Sequence, residues 1–284
     1  MATRREILNE LTAAAMECYD EVEARQVAEM IVTTKGGITR NALIVEPTQE
    51  LNIEGLDIIK EQLKSWRPVQ YILGSADFMD MSFEVNESVL IPRPETEELV
   101  MWVAESAPSG ATILDACTGS GCIAIALART IRDSHIHAFD LYDNAIAVAK
   151  RNAARHAPQV NIIKGDALAD FSVLFNERFD TVVSNPPYIP HSDSALMRPN
   201  VTDYEPHEAL FVDDSNPLIF YRAIAQTSRK ILKDNGLLYF EIYESLSNEM
   251  SAMLRSEGYT DIILREDFRG KPRMICAKAS SIVI

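Results

Sequence analysis

The sequence predicts an α/β fold in which a small helical domain precedes a mostly parallel sheet. From Thr112 onward, short apolar runs of strand length alternate with helical segments, which is the pattern of a doubly wound sheet. Before about residue 75, apolar residues recur at helical spacing among charged ones. The 284 residues are enough for one medium-sized domain and one small domain.

Composition excludes several classes of protein. Acidic residues outnumber basic ones 42 to 27, for a net charge of -15, whereas proteins that bind nucleic acid usually carry a basic face. We therefore expect no direct nucleic-acid partner. Neither a signal peptide nor a membrane span is visible, so we expect a cytoplasmic protein without a membrane partner. The four cysteines lack paired metal-ligand spacing, which predicts reduced thiols and no metal site.

Residues 1 to 75 form the predicted helical domain. Its helices are indicated by apolar residues at helical spacing: Ile7, Leu8 and Leu11; Val22, Val27, Met30 and Ile31; Ile58, Ile59, Leu63 and Trp66. Residues 33 to 52 are rich in turn formers, so we expect only short helical pieces there.

Residues 76 to 93 are predicted to be a β-hairpin linker. The strands are indicated by Phe78, Met79, Met81, Phe83, Val85, Val89 and Leu90, with N-E-S at 86 to 88 as the turn. The prolines of I-P-R-P then exclude helix until E-T-E-E-L-V begins one.

Residues 94 to 284 form the predicted sheet domain. Its strands are T-I-L-D-A, H-I-H-A-F-D, V-N-I-I-K-G-D, D-T-V-V-S-N, G-L-L-Y-F-E-I, Y-T-D-I-I-L-R-E-D and R-M-I-C-A-K-A-S. Helices follow the first two strands, and a long one precedes G-L-L-Y-F-E-I. The last two strands should be antiparallel, because the loop between them is too short for a parallel crossover.

The turn after the first strand of this domain is a candidate ligand loop. Gly119 and Gly121 allow a tight turn and a close approach of the backbone to a ligand. A dinucleotide fingerprint would place glycines at 117, 119 and 122, but Cys117 and Cys122 stand there, so pyrophosphate is disfavoured. Asp115, just before the turn, suits a cationic or zwitterionic ligand.

Acidic residues end the next two strands as well. Asp140 stands at the distance where an acid binds ribose hydroxyls, and Asp166 is placed to meet a base edge. Three acids around one glycine turn resemble the site of the Rossmann-like class I S-adenosylmethionine-dependent methyltransferases. That resemblance implies that Asp115 and the glycine turn hold the methionine part of the cofactor and that Asp140 holds the ribose.

The fourth strand ends in S-N-P-P-Y, residues 184 to 188. Pro187 has no N–H, so the Pro186 carbonyl stays available to a ligand, and the Asn185 side chain adds a second acceptor. The planar ring of Tyr188 would form one side of the binding site. Two acceptors around a planar site suit an NH₂ on an sp² carbon, which leaves three substrates open: adenine in DNA, a base in RNA, or glutamine in protein.

Motifs along most of the chain resemble the protein-(glutamine-N5) methyltransferases of peptide-chain release factors, the HemK/PrmC family. They are R-P-V-Q-Y-I-L-G, I-P-R-P-E-T-E-E-L-V, S-N-P-P-Y-I-P, Y-E-P-H-E-A-L-F and G-K-P-R-M, between Arg67 and Met274. The resemblance implies methyl transfer from S-adenosylmethionine to the glutamine of a GGQ motif in a release factor, with S-adenosylhomocysteine as product. The substrate would be held by Asn185, Pro186, Pro187 and Tyr188, with Asn185, Pro186 and Tyr188 acting in catalysis. The cofactor would be surrounded by Asp115, Cys117, Thr118, Gly119, Ser120, Gly121, Asp140, Asp166, Ala167 and Asn185.

Two other hypotheses remain open at this stage. One is an enzyme that methylates an amino group in ribosomal RNA or a glutamine in a ribosomal protein. The other is an inactive scaffold with the same fold. The chain also departs from the family pattern: Cys117 stands where members often carry glycine, and Val212, Asp213 and Tyr243 replace glycines on the substrate side. We expect a monomer whose partner is the release factor.

Overall fold

The computed structural model describes residues 2 to 280. The strands are β1 Ala2–Thr3, β2 Glu50–Leu51, β3 Ser75–Phe78, β4 Met81–Glu84, β5 Thr112–Ala116, β6 His135–Asp140, β7 Asn161–Lys164, β8 Phe179–Ser184, β9 Ile189–Pro190, β10 Phe211–Val212, β11 Leu232–Glu241, β12 Tyr259–Glu266 and β13 Pro272–Ala279. The helices are α1 Arg4–Ala15, α2 Glu21–Gly36, α3 Arg40–Val45, α4 Leu56–Lys64, α5 Val69–Leu73, α6 Pro94–Ser106, α7 Cys122–Thr130, α8 Asp143–His156, α9 Pro199–Thr202, α10 Ile219–Ile231 and α11 Ser247–Ser256.

A seven-stranded sheet organises the larger part of the chain. Its order is β12-β13-β11-β8-β5-β6-β7. The strands from β11 to β7 pair in parallel, whereas β13 is antiparallel to both β11 and β12. This confirms the predicted fold class, including the antiparallel closing pair. The strand order reverses at β5, which has β6 on one side and β8 on the other, and such a switch point opens a crevice at the carboxyl ends of the strands.

Helices cover both faces of the sheet. On one face, Leu99 and Val103 of α6 and Ile125 of α7 belong to a buried apolar cluster. On the other face, Ile224 of α10 and Met250 of α11 belong to a second cluster. Burial on both faces explains why β5 is buried at every position, Thr112 and Asp115 included.

The chain divides into two compact units, and the larger one, Asp77–Leu196 with the residues from Glu205 onward, contains this sheet. The smaller unit comprises the residues up to Ala76 together with Met197–Tyr204. It packs around its own apolar cluster, which includes Leu11, Ile31 and Leu63. The sequence prediction placed the segment 197 to 204 in the sheet domain. Within the small unit, the Arg198 guanidinium pairs with Glu23 at 2.8 Å and the Tyr204 hydroxyl donates to the Ser65 carbonyl at 2.6 Å.

The predicted hairpin is present, but its predicted turn is wrong. Strands β3 and β4 are joined by Met79 and Asp80, both with positive φ, at 50° and 58°. This conformation suits a two-residue hairpin loop because it matches the twist of the strands. The N-E-S segment forms a separate turn, in which Ser88 N–H donates to the Asn86 side chain at 2.9 Å. No strand follows it, because the N–H of Ile91 is bound by the Glu205 carboxylate instead of a neighbouring strand.

Helix α11, between β11 and β12, was not predicted. It buries Met250, Met253 and Leu254, but its other positions are mostly polar and include three serines. Across the described residues, every helix is too short or too polar to cross a bilayer.

Candidate active site

The register of the central strands brings four loops to one edge of the sheet. Ala116, the last residue of β5, pairs with Phe139 of β6 and Ser184 of β8, and Ser184 pairs with Phe240 of β11. The next residue of each strand or loop therefore also lies at this edge: Cys117, Asp140, Asn185 and Glu241.

The glycine loop has the tight backbone that its sequence predicts. Cys117, Gly119 and Gly121 all have positive φ, at 61°, 54° and 83°. A Cβ on Gly121 would lie 3.1 Å from Ile125 and 3.3 Å from Ala149, so glycine also permits the helices to pack here. Cys117 adopts a left-handed conformation, which glycine reaches without strain.

Asp115 lies beneath this loop and is fully buried. Its Oδ2 accepts from the Thr118 hydroxyl at 2.6 Å and from Ala124 N–H at 3.2 Å, while Oδ1 is buried without a partner among the described residues. Burial raises the pKa of the carboxyl to about 7, and the two hydrogen bonds oppose the rise. In this structure Asp115 shapes the loop and the start of α7.

Asp140 closes the other side of the loop. Its carboxylate accepts from Gly119 N–H at 2.9 Å and from Tyr142 N–H at 3.1 Å. Burial raises the pKa of this carboxyl, and the backbone N–H groups oppose the rise. The two oxygens keep lone pairs for a ligand that approaches the cavity, because each accepts one hydrogen bond here.

Asn152 of α8 supports the loop from behind and was missed by the sequence analysis. Its NH₂ donates to the carbonyls of Ser120 and Glu84, at 2.9 Å and 3.0 Å, and its Oδ1 accepts from Glu84 N–H at 2.7 Å. One buried amide thus ties the glycine loop to β4. An asparagine inside an otherwise apolar helical face was the signal for it.

The N-P-P-Y segment leaves β8 beside the glycine loop. The Ser184 hydroxyl donates to the Ala116 carbonyl at 2.6 Å, which joins the ends of β8 and β5. Pro186 and Pro187 are buried, whereas Asn185 and Tyr188 are partly buried. The N–H groups of Tyr188 and Ile189 both donate to the Leu210 carbonyl, at 3.2 Å and 2.9 Å, so the Y-E-P-H-E-A-L-F motif holds this segment in place.

A buried carboxylate stands behind Asn185 and Tyr188 and was also missed. Glu241 Oε2 accepts from the Thr96 hydroxyl at 2.6 Å, and Oε1 accepts from the Tyr188 hydroxyl at 3.1 Å. The Asn185 NH₂ donates to Thr96 Oγ1 at 3.4 Å. Burial raises the pKa of Glu241, against the hydrogen bonds of Thr96 and Tyr188 and the charge of Arg273. The sequence marks each residue separately, since Thr96 belongs to the I-P-R-P-E-T-E motif and Glu241 ends an apolar strand. It does not predict that the two side chains are in contact.

These loops surround a cavity in the larger unit. Of the predicted site residues, the lining includes Cys117, Thr118, Gly119, Ser120, Asp140, Asp166, Ala167, Asn185 and Pro187. Four predicted residues are outside the lining: Asp115, Gly121, Pro186 and Tyr188. The last three are chain neighbours of lining residues, and Asp115 accepts a hydrogen bond from the lining residue Thr118. The I-P-R-P segment forms another wall, where Arg93 is ion-paired with the buried Glu205.

The lining fits a ligand with hydroxyl and amino groups rather than one with phosphates. It contains three carboxylates, Asp140, Asp166 and Glu208, and among its described residues Arg93 is the only Lys or Arg. A Cβ on Gly119 would point into open space, so glycine leaves room for a ligand against the backbone. Within residues 2 to 280, no group of three or more His, Cys, Asp or Glu side chains is arranged to hold a metal ion.

Comparison with known proteins places this site in a family. The model described as "Methyltransferase small domain" matches residues 96 to 200. A methyltransferase structure from Pyrococcus furiosus shares the fold, with a TM-score of 0.53 and 15% identity over 72% of this chain and 91% of that chain. A release factor glutamine methyltransferase of Flavobacterium psychrophilum is 38% identical over 270 residues, covering 92% of this chain and 94% of that protein. One from Bacteroides thetaiotaomicron is 39% identical over 222 residues, covering 78% of this chain and 80% of that protein. Because two such relatives match most of its length, the chain belongs to the release factor glutamine methyltransferase family.

Proposed function

We propose that this protein transfers a methyl group from S-adenosylmethionine to the side-chain amide nitrogen of a glutamine in a peptide-chain release factor. The observation that carries the proposal is that Asn185 and Pro187 line the same cavity as Gly119 and Asp140. A donor site and an amide-accepting site thus share one space, in a chain whose relatives bear this activity in their names.

Family and fold imply S-adenosylmethionine as the methyl donor. When bound, it supplies an electrophilic methyl group on a sulfonium sulfur. Asp140 would accept from the ribose hydroxyls, Asp166 and Ala167 would lie against the base, and Cys117 to Gly121 would line the methionine part. Asp115 acts beneath them by holding Thr118 and the N–H of Ala124.

Asn185 and Pro186 act on the acceptor nitrogen. An amide nitrogen is a poor nucleophile because its lone pair is delocalised. Asn185 Oδ1 and the Pro186 carbonyl would accept its two hydrogens, direct its lone pair toward the methyl group and stabilise the positive charge that develops on nitrogen. Pro187 and Tyr188 shape the slot around the planar amide. Positioning then supplies much of the rate. The proton would leave nitrogen for water only as the methyl group arrives, and the cofactor would remain as S-adenosylhomocysteine.

Recognition of the release factor is assigned to residues 1 to about 75, which make up most of the small unit. This unit has its own apolar core and exposes large apolar side chains, among them Val22, Val45 and Ile58. The acidic chain would favour encounter with a protein that presents the basic surface needed to work on ribosomal RNA. We infer that a monomer is active.

The substrate class is tested by incubating the protein with labelled S-adenosylmethionine and, in parallel, a release factor, ribosomal RNA and ribosomal proteins. We expect label in the release factor alone. Label in RNA or ribosomal proteins, with an unlabelled release factor, would overturn the proposal.

A further inference from the structure

The orientation of the Asn185 amide follows from the hydrogen bonds behind it. The Thr96 hydroxyl carries a single hydrogen, and Glu241 Oε2 lies 2.6 Å from that oxygen. Glu241 is buried, and its other oxygen already accepts from the Tyr188 hydroxyl. The Thr96 hydroxyl donates to Oε2, so its single hydrogen is committed to Glu241.

Thr96 can therefore only accept from Asn185. The group that faces it must be the NH₂ of the amide, which lies 3.4 Å from Thr96 Oγ1. The carbonyl oxygen at the other end of this planar group then faces away from Thr96. Asn185 and Thr96 both line the cavity, and with its NH₂ bound to Thr96 the amide has its oxygen left as the group to offer to a substrate there.

We propose that Thr96, held by Glu241, is a positioning residue that fixes the Asn185 amide with its oxygen toward the substrate. This rests on the proposed function, and it makes Thr96 and Glu241 determinants of specificity: the site selects an N–H donor, such as an amide, over a carboxylate of the same shape. Without Thr96, the amide could rotate by half a turn and present its NH₂ instead.

The matched pair Thr96→Val and Thr96→Ser, made in the full chain, tests this role. Valine keeps the shape and removes the hydroxyl, whereas serine keeps the hydroxyl. With saturating S-adenosylmethionine and a release factor, we expect the single-turnover rate to fall by ~10-fold or more in Thr96→Val, as for loss of one orienting hydrogen bond, and to stay within ~3-fold in Thr96→Ser. In an Asn185→Asp background, where both oxygens accept, Thr96→Val should cause no further loss.

A binding measurement separates positioning from general structural damage. A short glutamine peptide and the same peptide with glutamate are titrated into the protein in the presence of S-adenosylhomocysteine. We expect the preference for glutamine over glutamate to fall by ~10-fold in Thr96→Val and to be unchanged in Thr96→Ser. If Thr96→Val does not fold, Thr96→Ala replaces it, because alanine also removes the hydroxyl that holds the Asn185 NH₂ and should lower the same preference.

Different results would overturn the positioning role of Thr96 and the proposed methyltransferase activity. An unaltered preference in the valine or alanine variant, or an equal rate loss in the Thr96→Val and Thr96→Ser variants, overturns the positioning role. Absence of transfer by the unaltered protein overturns the proposed function instead, and the peptide titration still tests the orientation of Asn185.

Discussion

Asn185 and Asp140 meet the cavity from the ends of β8 and β6, on opposite sides of the glycine loop. Both were identified from the sequence because each ends an apolar strand, and parallel strands bring their carboxyl ends to one edge. Thr96, Asn152 and Glu241 were not identified. Their roles depend on contacts such as the one between Thr96 and Glu241, which are 145 positions apart and meet only in the folded chain.

Asn185→Ala should lower the rate of transfer more than it lowers cofactor affinity. The change removes one of two acceptors for the substrate amide, for which we expect a loss of ~10²-fold or more in single-turnover rate. Asn185→Asp keeps an acceptor oxygen and should retain more rate than alanine. Rates close to those of the unaltered protein in both variants would mean that N-P-P-Y is only a turn.

Asp140→Ala should weaken cofactor binding by ~1.5–3 kcal/mol, the range for hydrogen bonds to a charged group. Isothermal titration calorimetry with S-adenosylhomocysteine measures this directly. Asp143→Ala is the matched control: it removes the same charge nearby, but Asp143 forms only an exposed ion pair with Lys164, which contributes little. Equal affinities in the two variants would place the ribose elsewhere.

At the scale of elements, strands were predicted better than turns and amphipathic helices. The central strands are buried on both faces, so short segments rich in apolar residues identify them, although each of β5 and β8 also contains an aspartate. The hairpin turn was misplaced because N-E-S is a stronger turn signal than Met79–Asp80, whose positive φ values are imposed by the pairing of β3 and β4. Helix α11 was missed because serines interrupt its apolar face.

Asp115, buried between β5 and α7, should make the free energy of unfolding depend on pH. Its pKa is raised by burial from 3.8 to about 7, so the folded chain keeps this proton to a higher pH than the unfolded chain does. Its contribution to stability is therefore present below about pH 4 and is lost as pH rises to about 7. Asp115→Asn does not titrate and still offers an oxygen to Thr118 and Ala124.

The variant's free energy of unfolding should therefore rise relative to the unaltered protein between about pH 4 and 7. Denaturant unfolding at several pH values would measure this. Parallel pH curves for the two proteins would show that the Asp115 carboxyl has its ordinary pKa.

At the scale of the whole molecule, the chain has two units with separate cores. We assign substrate recognition to the small unit and methyl transfer to the larger one. If the small unit recognises the release factor, a shortened protein that begins at Ser75 should bind S-adenosylhomocysteine normally and lose most activity on the intact factor. It should keep measurable activity on a short glutamine peptide, since the cavity lies in the larger unit. Unchanged activity on the intact factor would make the small unit structural only.

The position of the transferred methyl group tests the account most directly. A release factor is incubated with the protein and S-adenosylmethionine, digested, and sequenced by fragmentation mass spectrometry. We predict one added methyl group on the side-chain amide nitrogen of a single glutamine, and none in a factor in which that glutamine is replaced by glutamate. A methyl group on a lysine, an arginine or a main-chain nitrogen would contradict the account, because the proposed mechanism has Asn185 and Pro186 accept from a planar side-chain amide.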